Sequence, residues 1–379
     1  MKRLDLHGNV VARSAPHIST CSSSRDEAQT GRPAAMDTIS IDLHKRESQL
    51  CIGHDDGTVE ERRIATTRER FTAALGERPR ARILLEASTE SEWVARHLES
   101  LGHDVIVADP NFAPMYATRS RRTKTDRRDA RALMEACRLG AYRPAHRLSD
   151  ARRHVRAELA VREALVRTRT RYIALAKALV RRDGLRVPAS ESHLVAKRIV
   201  ALELSECLAA ELLPLFEILA PLNEQIAAAD RRIAALTRDD ATTTLLTTAP
   251  SIGPITAAAI VATIDDVTRF RSAHHFEAFL GVVPGEYSSG EKRRIGRITK
   301  AGNARARYLL VEAGWRILRS KDSDTEALRV WGLAIAARRG KRIAAVALAR
   351  RLAGILYAMW REQRPYDASR LRLPRARGA

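Results

Sequence analysis

The chain has 379 residues, 45% of them hydrophobic and only 4% aromatic, a length that predicts two or three domains instead of one small core. Lys and Arg number 66 against 45 Asp and Glu, and the resulting net charge of +21 favours a polyanionic partner. No apolar run approaches about 18 residues and no secretory signal opens the chain, so the composition argues against a membrane partner and against export. The cysteines are scattered without a CxxC pair, which disfavours a zinc or disulfide framework and fits a cytoplasmic location: Cys21, Cys51, Cys137 and Cys207.

The first 35 residues are polar, rich in Ser and Arg, and without hydrophobic period, which predicts a disordered leader over 1–36. Met36 directly precedes the first strand-like segment, so either Met1 or Met36 is the start of the protein. The remaining chain is divided by its patterns into four predicted parts: 37–145, 150–240, 241–365 and a basic tail over 366–379.

The part over 37–145 alternates strand-like and helix-like segments, which predicts an α/β domain with a mixed sheet. Its predicted strands begin with the alternating run Ile39–Leu43, and Asp55-Asp56-Gly57 marks a hairpin turn. Thr89 and Glu92 form a capping-box pattern that predicts a helix running to about Leu101. The later elements are two short strands, a basic loop and a helix, over 82–86, 104–108, 119–124 and from Asp126 onward.

The part over 150–240 is predicted to contain two long helices. Apolar residues recur every seven positions over 151–183, and a second seam runs over 222–236. Pro214 and Pro221 are predicted to break the helix that precedes this second seam. The two seams fit either an intramolecular helical hairpin or an oligomerising coiled coil.

The part over 241–365 opens with a tight turn at 250–254 and a helix of small residues over 255–264. The segment is similar to a helix-hairpin-helix, whose glycine turn offers backbone N–H groups to phosphate, and it equally fits a plain packing unit. A helical, basic segment is predicted from Arg338 onward.

Four acids form the first candidate site. Asp42 lies in the first predicted strand, Glu86 ends a later one, and Asp126 and Asp129 share one face of a helix. Adjacent strand ends and one helix turn can bring these carboxylates together, and hard oxygen ligands of this kind suit Mg²⁺ or Mn²⁺. Basic residues beside the last two acids are expected to let a phosphate backbone approach: Arg119, Arg121, Arg122, Lys124, Arg127 and Arg128.

A glycine-rich basic stretch forms the second candidate site. Residues 285–307 contain seven Lys or Arg and two Glu, a net charge of +5, and the glycines at 290, 296 and 302 are expected to let backbone approach phosphate closely. Ser288 and Ser289 lie in this stretch, and a serine there is either an ordinary turn residue or a nucleophile that a base must deprotonate. The stretch supplies five further candidate phosphate contacts: Lys292, Arg293, Arg294, Arg297 and Lys300.

Several of these motifs, in this order, resemble the DEDD insertion-sequence transposases, the family that also contains the Piv-type DNA invertases. The resemblance covers roughly 37–360 and rests on Ile41-Asp42-Leu43-His44-Lys45, Glu86, Lys124-Thr125-Asp126-Arg127-Arg128-Asp129-Ala130, Ser288-Ser289-Gly290 and Lys300-Ala301-Gly302-Asn303.

The resemblance implies a RuvC-like (RNase H-like) α/β N-terminal domain, a helical coiled-coil linker and a mostly α C-terminal transposase domain. It implies that Asp42, Glu86, Asp126 and Asp129 hold the metal, and that Ser289, with Ser288 as its close competitor, attacks DNA and becomes covalently attached. It further implies DNA as substrate, a structured guide RNA from the same element, and a homotetramer. Two alternatives stay open: a structure-specific nuclease of the junction-resolvase kind, and a nucleic-acid-binding protein without activity.

Overall fold

A computed structural model of the protein describes residues 36–54, 56–117, 125–289 and 292–370, with the backbone alone at 287–289 and 292–295. The predicted leader before Met36, the basic loop and the end of the basic tail therefore lie outside the described residues. The chain divides into two compact units, with the boundary between Arg147 and Leu148.

The N-terminal unit is built on a five-stranded mixed sheet with the strand order β3-β2-β1-β4-β5. β1 pairs antiparallel with β2, and β2 with β3, whereas β1, β4 and β5 run parallel to one another. The strands are β1 (Thr38–Leu43), β2 (Glu47–Gly53), β3 (Val59–Ala65), β4 (Arg82–Glu86) and β5 (Asp104–Ala108). The mixed sheet and the hairpin between β2 and β3 confirm the prediction of an α/β unit.

Both faces of β1 are buried, which the alternating pattern of the strand did not suggest. Ile39 and Ile41 pack in one core with Phe71 and Leu98, on the face covered by the helices α1 (Arg68–Leu75) and α2 (Ser91–Ser100). Because successive side chains of a strand point to opposite faces, Ser40 and Asp42 lie on the other face. A third helix, α3 (Asp126–Arg138), covers that face.

The capping box predicted at Thr89 and Glu92 is wrong in detail. α2 begins at Ser91, its N-cap residue is Glu90, and no side-chain hydrogen bond caps it. Ser91 Oγ instead accepts a hydrogen bond from the Ser88 N–H and donates one to the Ser88 carbonyl oxygen, so a serine between the two predicted capping residues holds this turn.

In the C-terminal unit, two long helices pack against each other along their apolar seams. They are α4 (Asp150–Arg182) and α6 (Glu206–Leu236), with the short α5 (Val195–Val200) between them in sequence. Ile173 and Val180 of α4 share a core with Leu222 and Ile226 of α6, so the seams form an intramolecular pair.

The predicted break at Pro214 and Pro221 is wrong, because α6 continues through both prolines. A proline inside a helix removes one backbone hydrogen bond and strains the preceding turn. Burial of Leu208, Leu212 and Leu219 on the flanking turns outweighs that cost, since each fully buried leucine contributes roughly 1.5–3 kcal/mol.

The rest of the C-terminal unit is a helical core with one β-hairpin. Its elements are α7 (Ala241–Thr247), α8 (Pro254–Ile264), α9 (Ala273–Phe279), β6 (Pro284–Ser289), β7 (Lys292–Ile298), α10 (Ala304–Arg319), α11 (Glu326–Arg339) and α12 (Lys341–Glu362). Every residue of α8 from Ala257 to Ile264 is buried, which is the behaviour of a packing helix. The phosphate contact predicted for the turn before it stays a prediction.

Within the described part of the chain, α12 is the single helix long and apolar enough to span a membrane by length and composition. Nine of its residues are buried, and Leu348, Leu352 and Leu356 pack into the core of the C-terminal unit. This packing is that of a core helix.

Candidate active site

Two of the predicted acids lie side by side at the ends of neighbouring strands. Ile41 of β1 and Leu85 of β4 are register partners in a parallel pair, so Asp42 and Glu86 follow at the same edge of the sheet. Side-chain alternation puts Asp42 on the face of Ser40, which is the face that α3 covers.

The other two acids open α3. Thr125 is its N-cap residue, and the threonine hydroxyl accepts a hydrogen bond from the Arg128 N–H. Asp126 and Asp129 therefore occupy the first turn, where the positive end of the helix dipole favours negative charge. The Ser40 hydroxyl donates to the Ala130 carbonyl oxygen, which fixes this turn against β1.

The four carboxylates act on one another at this edge. Asp42 is 8% exposed, and its Oδ2 atom has no hydrogen-bond partner among the described residues. Burial raises the pKa of Asp42 from its ordinary 3.8 to about 6. His44 lowers this pKa, whereas Asp129, Glu86 and Asp126 each raise it through charge repulsion, so the acids predicted from sequence converge here. A buried carboxylate oxygen without a partner, amid like charges, fits a site for a divalent cation.

His44 is a member of this cluster that was not predicted as a site residue. Its Nε2 atom lies 3.5 Å from Asp42 Oδ2 and 3.4 Å from Asp126 Oδ1. These three residues form, among the described residues, a group whose ligand atoms lie within 4.8 Å of one another. The sequence signal was the adjacency of His44 to the strand end that carries Asp42, two residues before it.

Tyr116 is a second residue that the sequence did not single out. Its hydroxyl donates a hydrogen bond to Glu86 Oε1 from a short turn of 3-10 helix over Ala113–Tyr116. Met115 in the same turn is buried against Leu84 and Leu133, which fixes the turn under the sheet. Glu86 is thereby oriented by a neighbour outside the acidic set.

The predicted phosphate contacts of this unit fall into two groups. Arg127 forms an ion pair with Glu61 of β3, and Arg131 pairs with the same carboxylate, so Arg127 is held toward the sheet. Arg128 contributes its backbone N–H to the cap of α3. The other predicted contacts lie outside the described residues: Arg119, Arg121, Arg122 and Lys124.

The serine motif lies on the β-hairpin of the C-terminal unit. Ser288 pairs with Arg293 and Ser289 with Lys292 in the antiparallel register of β6 and β7, so both serines are strand residues at the end of β6. Their side chains, and those of Lys292, Arg293 and Arg294, lie outside the described residues. Arg297 and Lys300 are exposed, as phosphate contacts need to be.

The glycine of the Lys300-Ala301-Gly302-Asn303 motif has a packing role, and the phosphate approach predicted for this position stays a prediction. Gly302 has a φ of +69°, and a Cβ atom there would lie 2.0 Å from the Phe279 carbonyl oxygen. Asn303 then caps α10, where its Oδ1 accepts from the Ala306 N–H at 3.0 Å. The motif therefore joins the hairpin to the helical core.

Two family models match segments that lie in both units. Residues 39–182 match the DEDD transposase family of IS110, and residues 243–328 match the family described as "Transposase IS116/IS110/IS902 family". The first match contains all four acids, and the second contains the serine motif and the glycine motif.

Named relatives agree with these matches over most of their own length. The chain is 31% identical to a "Probable family 20 transposase" of Pseudomonas aeruginosa, over 74% of this chain and 84% of the relative. It is 27% identical to the transposase for insertion sequence element IS1111A of Coxiella burnetii, over 86% and 90%. It is 28% identical to the transposase for IS1328 of Yersinia enterocolitica, over 85% and 96%.

Proposed function

We propose that this chain, which belongs to the IS116/IS110/IS902 family of insertion-sequence transposases, cleaves and rejoins DNA with a carboxylate-bound divalent metal and a serine nucleophile. Family membership makes the protein an enzyme that cuts and rejoins DNA, which is at odds with the alternative of a binding protein without activity. The observation that carries the metal part of the proposal is the buried Asp42 Oδ2 without a hydrogen-bond partner amid converging acids.

Asp42, Glu86, Asp126 and Asp129 would hold Mg²⁺ or Mn²⁺. When bound, such ions stabilise the attacking and leaving oxygens of a phosphodiester during in-line displacement. The protein's own contribution is orientation: the strand register fixes Asp42 and Glu86, Tyr116 orients Glu86, and the cap of α3 fixes its first turn. The sheet order supports the RuvC-like fold that the resemblance implies, and that assignment is part of the proposal.

Ser289, with Ser288 as the alternative, would supply the nucleophile. Its hydroxyl oxygen forms a bond to the scissile phosphorus while the bond from that phosphorus to one deoxyribose oxygen breaks. The serine proton passes to a base, and the leaving oxygen takes up a proton, so the DNA end stays attached to the protein as a phosphodiester. Nearby positive charge from Lys292, Arg293 and Arg294 would stabilise the charge that develops on the phosphate.

The nucleic-acid partners and the assembly also belong to the proposal. DNA is the substrate of a transposase, and the exposed Arg297 and Lys300 fit contacts to its backbone. A structured guide RNA and a homotetramer are implied by the family resemblance and stay predictions for this chain.

The metal site is tested with Asp126→Asn, which removes a ligand without removing a positive charge that contacts phosphate. We expect cleavage of a labelled element end in Mg²⁺ to be lost, while the DNA affinity in a mobility-shift assay stays within about threefold of wild type. Asp150→Asn is the matched control, since Asp150 is an exposed acid in the first turn of another helix. Full cleavage by Asp126→Asn would contradict the assignment of this ligand.

The nucleophile is tested with Ser289→Ala and Ser288→Ala on the same substrate. A denaturing gel of enzyme with labelled DNA, followed by mass spectrometry of the linked peptide, identifies the attached residue. We expect the covalent adduct to disappear in Ser289→Ala and to persist in Ser288→Ala, and the reverse result moves the assignment by one residue. Cleavage without any adduct would instead favour the junction-resolvase type of nuclease, in which water attacks the phosphorus.

A further inference from the structure

His44 lies between two carboxylates that belong to different elements. It follows the end of β1, which carries Asp42, and it faces Asp126 at the start of α3. Its Nε2 atom is nearly equidistant from the two carboxylate oxygens, at 3.5 Å and 3.4 Å.

These distances are too long for Nε2 to serve as a hydrogen-bond donor to either acid. Charge-assisted N–H···O bonds are typically about 2.7–2.9 Å long, and one ring nitrogen carries one hydrogen, which points to a single acceptor. Both distances lie in the range of an ion pair and outside that of a charge-assisted hydrogen bond. A position between two carboxylates, bonded to neither, is also the position expected of a ligand that shares an ion with them.

The spacing fits three ligand atoms arranged around a common centre. Bonds of about 2.0–2.2 Å to a divalent ion put neighbouring ligand atoms roughly 3.0–3.5 Å apart in octahedral or tetrahedral geometry. Both distances from Nε2 fall within or at the edge of this range, and all three ligand atoms lie within 4.8 Å of one another. The buried Asp42 Oδ2, which has no hydrogen-bond partner among the described residues, is a further sign that a cation belongs here.

The turn that carries His44 is anchored to the sheet. The Thr66 hydroxyl donates to the His44 carbonyl oxygen at 2.8 Å, and the Thr66 N–H donates to the Arg46 carbonyl oxygen at 2.9 Å. The Thr66 hydroxyl also lies 2.7 Å from Ser48 Oγ in β2. The backbone of His44 is therefore held in place before any ion binds, although its ring is 54% exposed.

We infer that His44 is a nitrogen ligand of the metal held by Asp42 and Asp126, so that this centre has a mixed nitrogen and oxygen ligand set. The inference rests on the proposed metal-dependent function and adds a ligand to it. Imidazole suits transition metals, whereas Mg²⁺ prefers oxygen. A bound imidazole should therefore strengthen the binding of Mn²⁺ more than that of Mg²⁺.

The test is pulsed electron paramagnetic resonance of Mn²⁺ bound to the full-length protein, which detects nitrogen nuclei bonded to the ion. We expect the wild type to show imidazole nitrogen couplings that change when the protein is grown with 15N-labelled histidine. His44→Ala should lose these couplings and bind Mn²⁺ about tenfold or more weakly by calorimetry, while Mg²⁺ affinity changes by less than about threefold.

His193→Ala is the matched control. His193 is 54% exposed, as His44 is, and its Nδ1 lies 3.4 Å from Glu191, but it is on a different unit. This variant should retain the couplings and both affinities. Circular dichroism of each variant checks that it is folded, and the labelled wild-type spectrum tests the inference without any substitution.

The possible results distinguish a failure of this inference from a failure of the proposed function. Bound Mn²⁺ that depends on Asp42 but shows no histidine nitrogen coupling would overturn the role of His44 and leave the carboxylate centre standing. Couplings that persist in His44→Ala would overturn it as well, since another histidine would then be the ligand. If Asp42→Asn binds Mn²⁺ as tightly as wild type, the metal centre of the proposed function fails, and the inference fails with it.

Discussion

Asp42→Asn should stabilise the metal-free protein while abolishing its response to metal. In the folded chain the carboxylate of Asp42 is buried beside three other acids, and its pKa rises from 3.8 to about 6. A shift of this size means that the ionised carboxylate lowers the free energy of unfolding by about 3 kcal/mol. Asparagine removes the charge, but its amide also needs hydrogen-bond partners, so we expect a gain of about 1–3 kcal/mol at neutral pH.

The pH dependence of this gain has a definite sign. Below 3.8 the carboxyl is protonated in both the folded and the unfolded chain, and the variant gains nothing from the missing charge. Between 3.8 and about 6 the unfolded chain releases its proton first, so the free energy of unfolding of the wild type falls as the pH rises. The full difference between variant and wild type is present above about pH 6.

The assay is thermal unfolding followed by circular dichroism in EDTA, at about pH 7.5 and again at about pH 4, and then with Mg²⁺ added. At the higher pH the Tm of Asp42→Asn should exceed that of wild type by about 2–4 °C per kcal/mol. Mg²⁺ should raise the Tm of the wild type but not that of the variant, because a ligand that binds only the folded state stabilises it.

Asp109→Asn is the control for this measurement. Burial alone would raise the pKa of Asp109, but hydrogen bonds from the Asn111 N–H and the Arg143 guanidinium lower it below its ordinary value. This carboxylate stabilises the fold, so its removal should lower the Tm. A lower Tm for Asp42→Asn in EDTA at neutral pH would refute the reasoning, as would a gain that is equal at both pH values.

Two further predictions concern the basic loop and the glycine motif. Replacing Arg121 and Arg122 by Ala should reduce the slope of log affinity against log salt by about 0.9 per lost phosphate contact on duplex DNA. The slope is measured by fluorescence anisotropy titrations, and an unchanged slope would show that these residues do not contact the DNA backbone. Gly302→Ala should lower the Tm far more than Gly184→Ala. Both glycines have a positive φ, but only at Gly302 would the added Cβ collide with a backbone atom, the Phe279 carbonyl oxygen. Equal Tm values for the two variants would contradict this close approach.

The N-terminal unit was predictable because its signals are local. One strand is marked by the alternation over Ile39–Leu43 and another by the short apolar run that ends at Glu86. The turn motif Asp55-Asp56-Gly57 marks a hairpin, and the observed strands follow these signals. Parallel neighbours then bring their ends to one edge, so the meeting of Asp42 and Glu86 follows from the strand assignment. The acids of α3 needed only the helical spacing of three.

Other features depend on contacts that no local pattern reports. The helix through Pro214 and Pro221 persists because its apolar side packs against α4, a partner distant in sequence. The close approach of Gly302 to the Phe279 carbonyl oxygen likewise joins residues that are distant in sequence. His44 stood two residues after Asp42 in the sequence, but only its distances to Asp42 and Asp126 make it a candidate ligand.

The burial of Asp42 lowers the stability of the fold, and this cost is itself an indication of a functional site. A strand residue that is 8% exposed would be most stable as an apolar side chain, and Ile39 and Ile41 follow that rule on the opposite face of β1. The chain instead buries a carboxylate beside Glu86 and the acids of α3, and one of its oxygens has no hydrogen-bond partner among the described residues. A cation of the proposed metal centre would offset this destabilisation. The stability of the metal-free unit and its reactivity with metal should therefore change in opposite directions when Asp42 is neutralised.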